Sequence, residues 1–452
     1  MSSDRRHSPP APAGARRWRR RVAGAAVAAL VGASGLVAAA PASALVPMSA
    51  AEQCTASTRI DQPVPALSFM QSELAWGVTR GAGVTVAVVD SGVNAANPHL
   101  AGVVVGGIDL VGDGGAPDGT TDVYGHGTAI AGQIAAQKID GSGVVGLAPD
   151  ADILAVRVFG GVDQRQIEAG FGPSPSRLAA GIRWAADQGA QIINVSMSTT
   201  SNDPELADAA AYAAARGSLV VGSAGNRNNV LSIEQSEADV ARYPAGSPGV
   251  LGVAAADLDG VVTDASIHGP HVSIAALGQG ILTASAIGGD CTYAGEEPAT
   301  SYAAGYVSAA AALVAAAHPD ETPEQWAYRL TATAVRADPD RREDGAGWGM
   351  VQPYDAIVLI PGEGIRGPLS PFADGAGAPP TDPAAEPVRV VHRTPADAEA
   401  IWLGATAGIG GLILLAGIGA LGVFVSRRRA DAHATPQRTG RGLYGDRSED
   451  AG

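Results

Sequence analysis

Between residues 83 and 317, short apolar runs alternate with Ala-rich segments of helical period. Residues 84–89 read Val84-Thr85-Val86-Ala87-Val88-Val89, apolar or β-branched at every position, and end on Asp90. A run without polar alternation predicts a strand buried on both faces. Further strands are predicted over residues 152–158, 191–195, 219–222, 250–255 and 271–276. Helices are predicted over residues 127–137 (opened by His126), 176–188, 203–216 and 302–317, with a short one over 73–78. Strands in alternation with helices specify an α/β fold of three layers, a mainly parallel sheet with helices on both faces. Ligands of such folds bind outside the carboxyl ends of the strands. Residues 160–175, interrupted by Gly and Pro, are read as a surface loop, and residues 227–242 as a polar loop after a strand.

The two ends follow other patterns. Arg16, Arg17, Arg19, Arg20 and Arg21 precede an apolar run over residues 22–40, and Ala42-Ser43-Ala44 supplies the small residues of a cleavage site. Residues 401–425 carry no charge, about 37 Å as a helix, enough to span a bilayer core with some tilt. Trp402 stands at one edge of this run and Arg427-Arg428-Arg429 at the other, which puts the latter end in the cytoplasm. Residues 362–395, rich in Pro, Gly, Ala and Asp, have no apolar period and read as a stalk. The expected layout is a signal peptide (1–44), an extension (45–80), an exported body (81–361), a linker (362–400), a single transmembrane helix (401–425) and a cytoplasmic tail (426–452).

Charge sharpens this layout. The chain of 452 residues has a net charge of -15, but residues 1–44 hold seven Arg against one acid, while residues 45–400 hold 17 basic and 40 acidic side chains. An acidic body without a basic patch excludes a nucleic-acid binder. The two cysteines, Cys54 and Cys291, both fall in the exported part, where a disulfide is the expectation. Asp109, Asp113 and Asp118 stand in a Gly-rich stretch and are read as solvated surface. No Asp-rich loop with calcium-ligand spacing is evident, and neither a metal nor another cofactor is called for.

Three short motifs carry candidate chemistry. Val88-Val89-Asp90-Ser91-Gly92 ends a buried strand on an acid. Tyr124-Gly125-His126-Gly127-Thr128 starts a helix on a histidine between glycines, and Ala299-Thr300-Ser301-Tyr302-Ala303-Ala304 starts another on a serine. A hydroxyl is a poor nucleophile until a base lies within hydrogen-bond reach, and that base needs an orienting partner. Asp90, His126 and Ser301 on three element ends can converge as such a set, with a helix N-terminus beneath the serine to favour developing negative charge.

In order and local sequence these motifs resemble those of the subtilisin-like serine proteases. The resemblance covers roughly residues 80–360 and implies a subtilisin-like fold and a peptide-bond hydrolase with Asp90, His126 and Ser301 as catalytic triad. Val221-Gly222-Ser223-Ala224-Gly225-Asn226 resembles the segment that carries the family's oxyanion-binding Asn, here Asn226. By the same resemblance, residues 192–197 match the strand that pairs with the peptide substrate. Ser196, Met197, Ser198, Ala224 and Gly225 are then substrate-binding. Gly347-Trp348-Gly349-Met350-Val351 resembles the turn that closes the domain. Three positions depart from the family: Ala299 and Ser198 stand where Gly is usual, and Gly305 where Pro is usual. If position 299 required positive φ, Ala would add strain of about 1 kcal/mol.

Signal peptide, short extension with a lone Cys, protease-like body, stalk, single span and basic tail together resemble the mycosins, membrane-anchored proteases of actinobacterial type VII secretion systems. That resemblance implies a polypeptide substrate, a cell-membrane location with the catalytic body outside, and a type VII secretion membrane complex as partner. It also implies an extension that wraps the body and stays attached. The competing function is a structural component of the complex whose protease site is slow or vestigial.

Overall fold

The computed structural model describes residues 54–227, 238–362 and 364–372. The expected signal peptide, transmembrane helix and cytoplasmic tail lie outside the described residues, as do the linker beyond residue 372 and the first residues of the extension.

Seven parallel strands form the central sheet: β1 (Thr85–Asp90), β2 (Val104–Asp109), β3 (Asp152–Arg157), β4 (Ile192–Val195), β5 (Leu219–Ser223), β6 (Leu251–Ala256) and β7 (Ile274–Leu277). Their order is β2-β3-β1-β4-β5-β6-β7. From β1 the chain goes to the edge strand β2, returns inward to β3 beside β1, and then crosses to β4 on the other side of β1. A crevice therefore opens at the carboxyl end of β1, where the winding reverses. The period of two in β1 separates the two cores. Val86 and Val88 face a layer containing α3 (His126–Ala135) and α7 (Thr300–Ala317), and Ala87 and Val89 face α5 (Pro175–Asp187) and α6 (Pro204–Ala215). The remaining helices are α1 (Pro65–Phe69), α2 (Ser72–Trp76), α4 (Gln164–Glu168), α8 (Pro323–Ala332) and α9 (Pro353–Val358). Strands β8 (Ile281–Ala284) and β9 (Asp290–Tyr293) pair as an antiparallel hairpin.

The predicted α/β fold is thus present, each predicted element displaced by at most three residues. Elements without a clear pattern are the additional ones. Gly106 and Gly107 break the apolar run of β2, which lies at the sheet edge and is only half-buried. Residues 160–175 are not entirely loop, because Asp163 accepts from the N–H groups of Arg165 and Gln166 and starts α4.

One reading of surface residues is corrected, and one residue of a polar loop proves to be buried. Arg157, at the end of β3, is 1% exposed, and a buried guanidinium requires acceptors. Asp109 and Asp113 supply them, at 3.0 Å and at 2.6 Å on both Nη1 and Nη2. They are therefore ion-pair partners and not solvated surface, whereas Asp118 caps its own turn through Thr120. Arg242, assigned to a polar loop, is fully buried.

The extension lies against the body. Cys54 is bonded to Cys291. The Ile60 N–H donates to Asp290 Oδ2 at 2.8 Å, and Asp290 Oδ1 lies 2.9 Å from His99 Nε2, with both side chains out of solvent. Further on, Met70 is fully buried and Trp76 Nε1 donates to the Leu147 carbonyl at 2.8 Å.

Arg157→Met should destabilise the fold by about 3–5 kcal/mol, because it leaves two carboxylates facing each other without their cation. Arg157 holds the Asp113 carboxyl below the ordinary carboxylate range. That stabilisation is complete above about pH 4, the ordinary range, and is lost as pH falls through the lower folded value. Urea unfolding between pH 3 and 7 should show this acid limb flattened in Arg157→Met.

Candidate active site

The carboxyl edge of the sheet gathers the singled-out residues. Asp90 is the last residue of β1, His126 the first of α3 and Ser301 the second of α7. His126 Nδ1 lies 3.0 Å from both Asp90 oxygens, and His126 Nε2 lies 3.0 Å from Ser301 Oγ. A carboxylate only accepts, so the ring proton sits on Nδ1 and Nε2 is left to accept from the serine hydroxyl. Asp90 is fully buried, and His126 and Ser301 are 6% and 1% exposed. The close approach of the first two motifs depends on glycine: a Cβ on Gly127 would stand 2.1 Å from the Gly92 carbonyl oxygen.

His126 is also held from behind. Asp122 Oδ1 accepts from Ser91 Oγ (2.8 Å) and the Gly125 N–H (2.7 Å), and Oδ2 accepts from the Thr128 N–H (2.9 Å) and Oγ1 (2.5 Å). It thereby caps α3, whose own N-cap, Gly125, has no side chain to do so. Burial pushes the Asp122 carboxyl above its ordinary value against the pull of these donors. Tyr302 lies over His126, ring centroids 5.0 Å apart, and stacks on Tyr293 at 5.8 Å. Burial pushes the Tyr302 hydroxyl well above its ordinary value, and burial with Asp90 and Asp122 pushes Tyr124 up to about 12. These phenols remain neutral around the imidazole. Nothing in the three motifs pointed to Asp122, because it stands four residues before His126 and not at the N-cap position, which Gly125 occupies.

Helix α7 starts on Ala299, which offers no capping side chain. Asn226, three residues past β5, takes that place. Its Oδ1 accepts from the Thr300 N–H at 2.8 Å. The accepting oxygen fixes the amide orientation and leaves Nδ2 as a donor beside Ser301. The Ser301 N–H, in the first turn, has no acceptor within the helix. Ala299 has φ -124°, so the Ala in place of Gly is unstrained. Gly305 faces α3, where a Cβ would meet Gln133 Oε1 at 2.9 Å.

The five residues expected to bind substrate fall on the segments that leave β4 and β5, with unequal parts. Ser196 Oγ lies 2.9 Å from Asn194 Oδ1 and 3.1 Å from the Ser301 carbonyl, its one proton shared between the two acceptors, so its side chain holds α7 in place. Met197 buries its side chain in the core with Leu178 and Leu206, leaving its backbone at the site. Ala224, Gly225 and Ser198 are buried beside one another, Ser198 Oγ lying 3.2 Å from where a Gly225 Cβ would be. Cys54 and Cys291 form the disulfide outside the site, Cα atoms 5.5 Å apart. Asn194, a buried amide inside β4, also ties the sheet to α7 through Ser308 Oγ at 3.1 Å. Among the described residues, no group of three or more His, Cys, Asp or Glu side chains is arranged to hold a metal ion.

With this geometry in hand, comparison with known proteins is specific. The model of the subtilase family matches residues 81–349. Thermitase of Thermoactinomyces vulgaris is 36% identical over 236 residues, 52% of this chain and 77% of thermitase. Mycosin-3 of Mycobacterium tuberculosis is 32% identical over 414 residues, 82% of this chain and 85% of mycosin-3. Among solved structures, the MycP3 protease from the type VII (ESX-3) secretion system is 32% identical with a TM-score of 0.57, covering 68% of this chain and 91% of that one. MycP1 from Mycobacterium smegmatis is 28% identical with the same TM-score, covering 71% and 91%.

Asp122→Ala should lower stability by about 1–2 kcal/mol through loss of the α3 cap, with a fall in the thermal midpoint. An unchanged midpoint would show that Asp122 does not hold this helix.

Proposed function

This chain belongs to the subtilase family of serine proteases, and on that premise we propose that it is a membrane-anchored endopeptidase acting through Asp90, His126 and Ser301. The observation that carries the reading is the continuous hydrogen-bond path Asp90–His126–Ser301 at 3.0 Å per step. In this mechanism His126 Nε2 takes the Ser301 proton as Oγ attacks the scissile carbonyl. Asp90 holds the imidazole in orientation and stabilises its charged form. Asn226 Nδ2 and the Ser301 N–H receive the developing oxyanion. His126 then returns the proton to the leaving amine, and water hydrolyses the acyl-enzyme by the same path.

The broader role rests on the extent of similarity. Thermitase matches 52% of this chain, whereas mycosin-3 matches 82%, well beyond the residues matched to the family model. That reach favours the mycosin layout: signal peptide 1–44, retained extension 45–80, catalytic domain 81–361, linker 362–400, span 401–425 and cytoplasmic tail 426–452. A type VII secretion membrane complex is the proposed partner, and an exported polypeptide the substrate. The alternative, a scaffold with a vestigial site, drew on Ala299 and Gly305. The extended backbone of Ala299, which any residue adopts, favours the active reading over that alternative.

A fluorophosphonate should label the protein at Ser301 and fail to label Ser301→Ala. Ser301→Ala should also lose peptide cleavage by about six orders of magnitude in kcat, with folding unchanged by circular dichroism. Residual activity at the parent level would refute the nucleophile. Asn226→Ala should reduce kcat by roughly 100- to 1000-fold with little change in KM, read from steady-state hydrolysis of a chromogenic peptide.

A further inference from the structure

Arg242 is fully buried and has no part in the mechanism above. Its guanidinium is turned toward its own segment, with Nη1 donating to the Val240 carbonyl at 2.8 Å and Nη2 to the Ala238 carbonyl at 3.2 Å. Its stem runs the other way. Arg242 Cγ and Nε lie 3.0 Å and 3.2 Å from where a Cβ on Gly225 would be, and Ser198 Oγ lies 3.2 Å from the same point. Gly225 has φ +92°, so its lack of a side chain serves both the backbone turn and this approach. The stem thus fills the space beneath Gly225, between the two segments, 196–198 and 224–225, that lead from β4 and β5 to Ser301.

We propose that Arg242 is a specificity-determining residue that closes the floor of the pocket for the substrate side chain preceding the scissile bond, restricting it to Gly, Ala or Ser. The inference rests on the proteolytic reading above and on its assignment of residues 196–198 and 224–225 to substrate. Two observations favour restriction by volume over attraction by charge. Arg242 is fully buried, so an open pocket does not reach it. The two terminal nitrogens of the head are anchored to carbonyls of its own segment, and the part that meets Gly225 is the junction of stem and head, Cγ and Nε. A bulky aromatic side chain would have to displace a buried arginine together with these hydrogen bonds.

The test compares kcat/KM for peptide substrates that differ only in the residue before the cut, Ala, Leu, Phe or Glu, alongside fluorophosphonate labelling. The parent protein should prefer Ala over Phe by about tenfold or more. Arg242→Ala should raise the Phe-to-Ala ratio by roughly 10- to 100-fold, whereas Arg242→Met, which keeps the stem and removes the charge, should retain the preference for Ala. Labelling together with a parent preference for Leu or Phe overturns the inference whether or not any variant folds. A parent preference for Glu that is lost in Arg242→Met overturns it in favour of charge recognition. Failure of the parent protein to label defeats the proteolytic reading itself, and this inference with it.

Discussion

Helix α7 lies across the sheet on a face with little side-chain bulk: ten of its eighteen residues are Ala or Gly, and nearly all are buried. Its axis can therefore come close to β4, β5, β6 and β7 at once, and dispersion contacts accumulate over its whole length. A larger side chain at most of these positions would separate the layers, at about 1–3 kcal/mol of strain. The candidate nucleophile depends on this seat because Ser301 is in the first turn. Asn194 and Ser196 fix the helix along its axis through Ser308 and the Ser301 carbonyl, and Asn226 fixes its end through Thr300. A shift of the helix by one residue would break all three contacts.

The same architecture confines polar chemistry to one rim. Strands apolar on both faces leave no place for an ionisable group except where they end. Asp90, Arg157 and the 196–198 and 224–226 segments all occupy that rim. Each charge there has found partners: Asp90 has His126 and the Ser91 N–H, and Arg157 has two carboxylates and the Ser91 carbonyl. Ser91 joins the two clusters, since its hydroxyl also links Asp122 to the Gly127 N–H. The rim is a connected polar network whose members position one another.

How much of this was legible in the sequence varies with physical cause. β1 and β5 were clear because a short, continuous apolar run bounded by polar residues suits a strand covered on both faces and little else. Asp90, His126 and Ser301 each mark an element boundary, a weak signal alone; it was the order of the three motifs and their local sequences, which resemble the subtilisin-like serine proteases, that singled them out. Helix α8 was missed despite a signal, Thr322-Pro323-Glu324-Gln325, which forms a capping box in the structure. The ion pairs of Arg157 were hidden, since Asp109 and Asp113 are 48 and 44 residues away and look like a polar loop until β2 is placed beside β3. Arg242 was hidden for a similar reason: an arginine at the end of a polar loop is by composition a surface residue, and only tertiary packing reverses that.

Helix α7 has a mean hydropathy of 1.3 and is, among the described residues, the helix long and apolar enough to cross a membrane, yet it is a core helix. On the proposed export route, the chain carried unfolded through a translocation channel would present this segment to lipid before any sheet exists to receive it. Val307, Leu313 and Val314 together favour lateral escape into lipid by about 1–2 kcal/mol, and the hydroxyls of Thr300, Ser301 and Ser308 oppose it. Alanine adds bulk to neither side of that balance. The residue that lets the helix approach the sheet is also one that lets the segment pass a bilayer without stopping, so close packing and safe transit select the same composition.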